Sequence, residues 1–371
     1  MKAWKPNFAS PSYVLILGLF SFAPAALSQQ IRVDTTSARA VLDALQDPNL
    51  TYEQAMTIAK LDGNRGMIRE MHELGEANTD EQFARALVTA AHGQSSTAPE
   101  EVNYNFTAVK KAAQAELVLL DQIDQGVEKE IRDRIRPYTP QPDTVSVRGF
   151  VVAGGDGGGY AFGGSDFYLN ILTNDDILTA KQTLIHEAFH GAQGAVYQED
   201  TAHWAKQNAR PADLVRDQFC SNSAELFMDM KNEGTAMFVG TDEIIKDSKG
   251  LTGKRLYAES LYGKEHLSDS AGLLEISVAS MEAPRPVPFK MVYSIDFWGR
   301  GIVYYISRAM TGAIAEQDGP AAVAQLMQQP GYEFVLRYTK LKSYGSDLAH
   351  PRLGENTVLA AQSLHDGCHD F

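Results

Sequence analysis

Cysteine is scarce in this chain, with two residues among 371. So few thiols exclude a small scaffold held together by many disulfides, and the lack of a Cys-x-x-Cys pair argues against a thiol redox motif or a cysteine-based zinc cluster. Positive charge is also in short supply, since 33 Lys and Arg stand against 47 Asp and Glu and give a formal net charge of −14. Because an acidic surface repels phosphate groups, we expect no nucleic-acid partner.

Long apolar runs are missing beyond the first 28 residues, and a bilayer span takes about 20 such residues. The apolar run at 13–22 is also too short for a span. It follows Lys2 and Lys5 and precedes Ala26-Leu27-Ser28, whose small residues suit a cleavage site. We therefore predict a signal peptide at residues 1–28, a secreted or periplasmic protein, and no stable membrane anchor after cleavage. An N-terminal transmembrane anchor is the alternative.

The two cysteines, Cys220 and Cys368, allow one intramolecular pairing. An exported protein meets an oxidising environment, which favours a disulfide that would fasten the C-terminal tail to the middle of the chain. Two unpaired thiols, one of them buried as a small apolar residue, are the alternative.

Helical patterning runs through most of residues 29–140. Thr51 and Thr79 each precede a Gln by three positions, which is the spacing of a capping box. Apolar residues recur at helical spacing from 120 to 135 and predict one long amphipathic helix that stops at Pro137. The proline-rich segment 137–142 breaks this pattern, so we place a boundary between a helical N-terminal region, 29–140, and a second domain, 141–371.

The chain changes character after this boundary. Residues 144–152 and 160–171 are rich in β-branched and aromatic types and flank a glycine-rich connection at 154–159, which predicts strands. No Gly-Lys-Ser/Thr follows these glycines, and their register is not that of a dinucleotide-binding loop. Asp175 and Asp176 then stand where a helix N-terminus favours negative charge, and helical patterns continue from there. The predicted fold class is mainly α with a small β-sheet (α+β).

One motif indicates chemistry: His186-Glu187-Ala188-Phe189-His190. Residues four apart lie on one face of a helix, so both imidazoles can point at one ion, and neutral imidazoles suit Zn²⁺. Glu187 lies beside them, where it can deprotonate a water held by the metal. The flanking residues carry no charge from Gln182 to His186, as expected of a helix that crosses a core. A zinc site is the prediction; a chance pair of histidines on a solvated helix is the alternative.

The motif and its flanks, Thr-Leu-Ile-His-Glu-Ala-Phe-His-Gly-Ala at 183–192, resemble the extended motif of the zincin metallopeptidases. Gln193 and Val196 stand where a metzincin would have Gly and its third His, so the resemblance is to the gluzincin type, whose third ligand is a Glu from a later helix. The layout is also similar to a secreted bacterial family of zinc-dependent peptidases with a helical N-terminal half. This resemblance implies a zincin-like catalytic domain at 141–371 that acts on a peptide or protein substrate.

Two residues are candidates for the third ligand. Glu233 lies in an Asn-Glu-Gly-x-Ala segment that resembles the aminopeptidase-like gluzincins, and Glu225 lies in a Glu-x-x-x-Asp segment, ending at Asp229, that resembles the thermolysin type. We prefer Glu233, because Gly234 and Ala236 would let its helix approach the metal helix closely.

Two further features have a place in such a site. Tyr293, Tyr304 and Tyr305 are possible donors to the oxyanion formed when water attacks a carbonyl. We nominate Tyr293, which lies just before an aromatic-rich helix, because Tyr304 and Tyr305 fit the core side of that helix. In zincins an edge strand pairs with the extended substrate, and residues 150–152 or 160–171 could supply that edge; an ordinary structural hairpin is the alternative. A non-catalytic exported protein that keeps the zincin fold for binding is the alternative function.

Overall fold

The computed structural model describes residues 29–76, 78–197, 214–283, 285–299 and 301–368. The predicted signal peptide, residues 1–28, lies outside the described residues. Most of the described chain is helical, and one four-stranded sheet lies in its first half. The predicted fold class, mainly α with a small β-sheet, is confirmed.

The first half consists of seven helices, the sheet and a long eighth helix. Its strands are β1 (Gln30–Asp34), β2 (Ser146–Val152), β3 (Gly159–Ala161) and β4 (Asp166–Asn170). Its helices are α1 (Thr36–Gln46), α2 (Tyr52–Ala59), α3 (Asp62–Glu73), α4 (Asp80–Ala91), α5 (Pro99–Val102), α6 (Phe106–Asp124), α7 (Val127–Ile135) and α8 (Ile177–Val196).

The second half is helical throughout its described residues. Its helices are α9 (Leu214–Val239), α10 (Leu251–Glu265), α11 (Leu267–Glu282), α12 (Phe289–Tyr293), α13 (Ile302–Asp318), α14 (Pro320–Leu326), α15 (Gly331–Thr339) and α16 (Glu355–His365). A π-helical segment, Ser294–Gly299, follows α12. None of the helices in the described part of the chain is both long and apolar enough to cross a bilayer.

Local sequence signals explain several helix ends. The predicted capping box at Thr51 is confirmed, because its side chain accepts from the Gln54 backbone N–H and the Gln54 side chain accepts from the Thr51 N–H. The single helix predicted across 120–135 is wrong. Gly126 adopts a φ of +116°, a conformation that glycine tolerates best, and it separates α6 from α7.

The sheet has the order β1-β2-β4-β3. β1 and β4 both pair with β2 in parallel, and β3 pairs with β4 antiparallel. The helical patterning of 29–140 did not predict β1, whose Gln30 pairs with Ser146. A five-residue strand with a distant partner leaves little local signal, because its pairing depends on a segment on the far side of seven helices.

Two hydrophobic cores divide the described residues. The first joins the sheet, α8 and the N-terminal helices, and the second joins the helices from α9 onward. α9 contributes to both, with Met230 in the second core and Ala236 in the first. The first core continues across residue 140 without a break. The division into regions 29–140 and 141–371 stays a prediction.

A disulfide joins Cys220 on α9 to Cys368 beyond the end of α16, and their Cα atoms are 6.3 Å apart with a sequence separation of 148. Closing so long a loop removes many conformations from the unfolded chain. We expect Cys220→Ser with Cys368→Ser to lower the free energy of unfolding by about 4–5 kcal/mol at most, measured by denaturant titration. Two thiols that react with an alkylating reagent in the native, unreduced protein would contradict the pairing.

Candidate metal centre

The helix that carries the predicted motif, α8, is capped at its start and buried along its length. Asp176 precedes it, and its Oδ1 accepts from the backbone N–H of Thr179 at 2.9 Å while its Oδ2 accepts from Ser248 Oγ at 2.6 Å. Burial alone would raise the pKa of Asp176, but these hydrogen bonds and one from the Gly250 N–H outweigh it and lower the pKa to about 2. Past this cap, α8 packs on β2 and β4, which fixes the face that its histidines present.

His186, His190 and Glu233 converge from α8 and α9. The two histidine Nε2 atoms are 3.0 Å apart, and each lies 3.4 Å from Oε2 of Glu233. Donor atoms about 2.0–2.1 Å from a tetrahedral zinc ion lie about 3.3 Å from one another, so these three atoms have the spacing of three zinc ligands. Among the described residues, this is the group of His, Cys, Asp or Glu side chains close enough to share an ion.

The charges of Glu233 and His190 shift each other's pKa. Burial would lower the pKa of His190, but the nearby carboxylate of Glu233 raises it to about 9. Burial would raise the pKa of Glu233, and the two histidines lower it well below its usual range. Both shifts have the same cause, which is the attraction between the Glu233 carboxylate and positively charged imidazole, so the carboxylate favours positive charge at the place where the donor atoms meet.

Glu187 lies beside these three side chains and is 7% exposed. Burial raises its pKa, and so does the charge of Glu233, against the opposing effect of His186 and His190. β3 passes close over it: a Cβ added to Gly159 would lie 2.7 Å from Glu187 Cγ and 2.7 Å from Thr183 Cγ2. Glycine at this position therefore lets the strand approach the helix at the proposed base.

The free edge of the sheet on this side is β3. Residues 150–152 belong to β2, an inner strand of the sheet, in which Phe150 pairs with both β1 and β4 and the next two residues pair with β4 alone. Of the second candidate segment, 160–171, β4 is also paired on both sides. On the side of the sheet next to Glu187, Gly159–Ala161 is the edge strand that could pair with an added strand.

The predicted third ligands occupy different places on α9. Glu233 faces the histidines, whereas Glu225, two turns earlier, is exposed and does not belong to the group that could share an ion. Asp229 lies between them, where burial and the charges of Glu225 and Glu233 raise its pKa to about 8. Sequence reasoning named Asp229 only as the companion of Glu225. Asp229 stands four residues before Glu233, and this spacing could have indicated that both carboxylates lie on the same face of α9.

Two tyrosines border the carboxylates. Tyr293 stacks on Phe297 with ring centroids 4.4 Å apart, and burial together with the charges of Asp229, Glu233 and Glu225 raises its pKa to about 12. Burial raises the pKa of Tyr304 well above the usual range, and the charges of Glu233 and Glu187 add to this effect. From the sequence, Tyr304 is a possible donor but was assigned to a core helix, because no motif links it to α8.

The glycine beside Glu233 has a different role from the predicted one. A Cβ at Gly234 would lie 2.3 Å from Ser307 Cβ, so this glycine allows α9 to pack closely against α13 and not against α8. The close approach to α8 occurs at Gly240, where a Cβ would lie 3.1 Å from His186 Cβ. The prediction that Gly234 lets α9 approach α8 is therefore wrong. Ala236, the other small residue in that prediction, does lie buried in the core that contains α8.

Residues 56–344 match the family described as "Putative zinc dependent peptidase (DUF5700)". The chain belongs to this family. The matched span contains His186, Glu187, His190 and Glu233, and it extends from the N-terminal helices through most of the second core, so the DUF5700 family shares more than the motif with this chain. No curated protein and no solved structure gives a significant match.

Proposed function

We propose that this protein is a secreted or periplasmic zinc peptidase of the gluzincin type that hydrolyses peptide bonds with Glu187 as general base. The observation that carries the proposal is the triangle of His186 Nε2, His190 Nε2 and Glu233 Oε2, whose sides of 3.0, 3.4 and 3.4 Å suit three ligands of one zinc ion. The family description supports zinc and peptide hydrolysis in coarser form. The predicted signal peptide at residues 1–28 and the disulfide between Cys220 and Cys368 fit an exported chain.

The residues around this triangle have distinct roles in the proposal. Bound Zn²⁺ would supply a Lewis acid and lower the pKa of a water molecule. Glu187 accepts a proton from the attacking water and passes it to the leaving nitrogen as the C–N bond breaks, and its raised pKa makes the carboxylate a stronger base. Tyr293 and Tyr304 are candidate donors to the oxyanion. The free edge of β3 would hold an extended peptide by backbone hydrogen bonds.

A non-catalytic zincin-fold protein would need the same ligands and no base. Structural zinc sites are usually closed by four protein ligands, whereas three protein ligands leave a position for water or substrate. Among the described residues, three ligand atoms meet here, and a buried carboxylate lies beside them with no ligand role. Both features favour catalysis over scaffolding.

Metal removal tests the proposal directly. We expect the purified chain from Gln29 onward to contain about one zinc ion per molecule by elemental analysis and to cleave members of a broad peptide library. A chelator should abolish cleavage, and added Zn²⁺ should restore it. A chain that binds no zinc would contradict the proposal, and one that binds zinc tightly but cleaves no peptide would support the non-catalytic alternative.

A further inference from the structure

Gln193, one turn beyond His190 on α8, connects both parts of the metal centre. Its Oε1 lies 2.7 Å from His190 Nδ1, and its Nε2 donates to the backbone carbonyl of Asn232 at 2.9 Å and to Thr235 Oγ1 at 2.8 Å. Asn232 and Thr235 flank Glu233 on α9. The Gln193 side chain is 6% exposed, so these hydrogen bonds are shielded from competing water.

The hydrogen bonds from Gln193 to Asn232 and Thr235 on α9 determine which way its side-chain amide faces. A backbone carbonyl can only accept, so the group that faces Asn232 O must be the amide NH₂. Thr235 Oγ1 donates its own proton to the carbonyl of Lys231 at 2.7 Å, which leaves its lone pairs to accept from the same NH₂. The carbonyl oxygen of the Gln193 side chain must therefore face His190.

The orientation of the amide in turn determines the tautomer of His190. The Gln193 carbonyl oxygen can only accept, so His190 Nδ1 must carry a proton. In the neutral imidazole the lone pair is then on Nε2, which is the atom that faces His186 and Glu233. His186 has no equivalent support among the described residues, because its Nδ1 is buried without a hydrogen-bond partner.

We infer that Gln193 is a positioning residue that holds His190 in its metal-binding tautomer and orientation. This inference rests on the proposed zinc site and assigns to Gln193 no contact with substrate or metal. An oxygen acceptor behind a ligating histidine typically changes metal affinity 10- to 100-fold. Here the acceptor is a neutral amide, and a carboxylate in its place would make the imidazole a stronger ligand.

Two substitutions separate orientation of His190 from a merely structural link between α8 and α9. Gln193→Leu removes both hydrogen-bonding ends, and we expect zinc affinity to fall about 10- to 100-fold in competition with a chelator. Gln193→Glu keeps an acceptor for His190 Nδ1 but loses the donor to Asn232. We expect it to bind zinc at least as tightly as the wild type, because only the orienting oxygen matters for His190.

Each outcome of this comparison decides the inference. A Gln193→Leu chain with wild-type zinc affinity would overturn it, and so would a Gln193→Glu chain as weak as the leucine variant, because the link to α9 would then be the important part. Should Gln193→Leu fail to fold, two single variants replace the comparison, Thr235→Val and Gln193→Glu, each of which weakens the link to α9 and keeps the oxygen that faces His190. Wild-type zinc affinity in both variants supports the inference, and a loss of zinc affinity in both overturns it. Zinc binding is the readout throughout, so a wild-type chain that binds zinc but cleaves nothing affects only the proposed function.

Discussion

Glu187→Gln should bind zinc like the wild type and lose peptide hydrolysis by about 10²- to 10⁴-fold in kcat. The amide has the size of the carboxylate but cannot accept the proton of the attacking water. Glu187 is not among the three side chains whose donor atoms meet, so the metal should stay. Removing a charge from a side chain that is 7% exposed should not weaken folding. Elemental analysis and initial-rate assays on the same preparation measure both effects.

His190→Ala is the matched control for this substitution. It removes a ligand from the same face of α8, so we expect it to lose zinc and activity together, since two remaining ligands rarely hold catalytic zinc. A Glu187→Gln chain that hydrolyses peptides at the wild-type rate would exclude Glu187 as the base. A Glu187→Gln chain that loses its zinc would instead assign Glu187 to the ligands.

Glu233→Ala should reduce zinc affinity by more than the roughly 10- to 100-fold that loss of a supporting hydrogen bond causes, because it removes one of three ligands. Its Oε2 lies 3.4 Å from both histidine Nε2 atoms, and no other His, Cys, Asp or Glu among the described residues joins this group. Equilibrium dialysis against a zinc buffer measures the change. Activity should disappear in parallel, since the site would no longer retain the ion.

Glu225→Ala on the same helix is the control for Glu233→Ala. It also removes one carboxylate from α9, but from an exposed position outside the ligand group, so zinc affinity should stay at the wild-type level. If Glu225→Ala releases zinc and Glu233→Ala does not, the thermolysin-type assignment replaces ours. If neither substitution releases zinc, the gluzincin assignment is wrong.

The parts of the site that the sequence predicts are those within one helix. His186, Glu187 and His190 lie in a single turn of α8, so helical periodicity alone brings the two imidazoles together. Asp176 could be named as a helix start for the same reason, because a cap acts on the residues that follow it directly. The prediction of Glu233 as a ligand needed the resemblance to a known motif, because the approach of Glu233 to α8 depends on how two helices pack.

The features that sequence reasoning missed or set aside all depend on packing between distant segments. β1 is a strand because β2 lies beside it, Tyr304 borders Glu233 because α13 crosses α9, and Gly234 contacts Ser307 for the same reason. Gln193 has an ordinary helical position in the sequence. Its hydrogen bonds to His190 and to the residues around Glu233 exist only after α8 and α9 have met.

Glu233 stands where α9 passes from one core to the other, with Met230 buried in the second core just before it and Ala236 in the first just after it. Both histidines come from α8, which belongs to the first core. A partly folded state that keeps its helices but loses fixed packing would therefore keep the histidine pair and separate it from the carboxylate. The zinc affinity of this chain would therefore measure whether the two cores have packed together, and not how much helix has formed. The free energy of metal binding would in turn stabilise the packing of the two cores against each other.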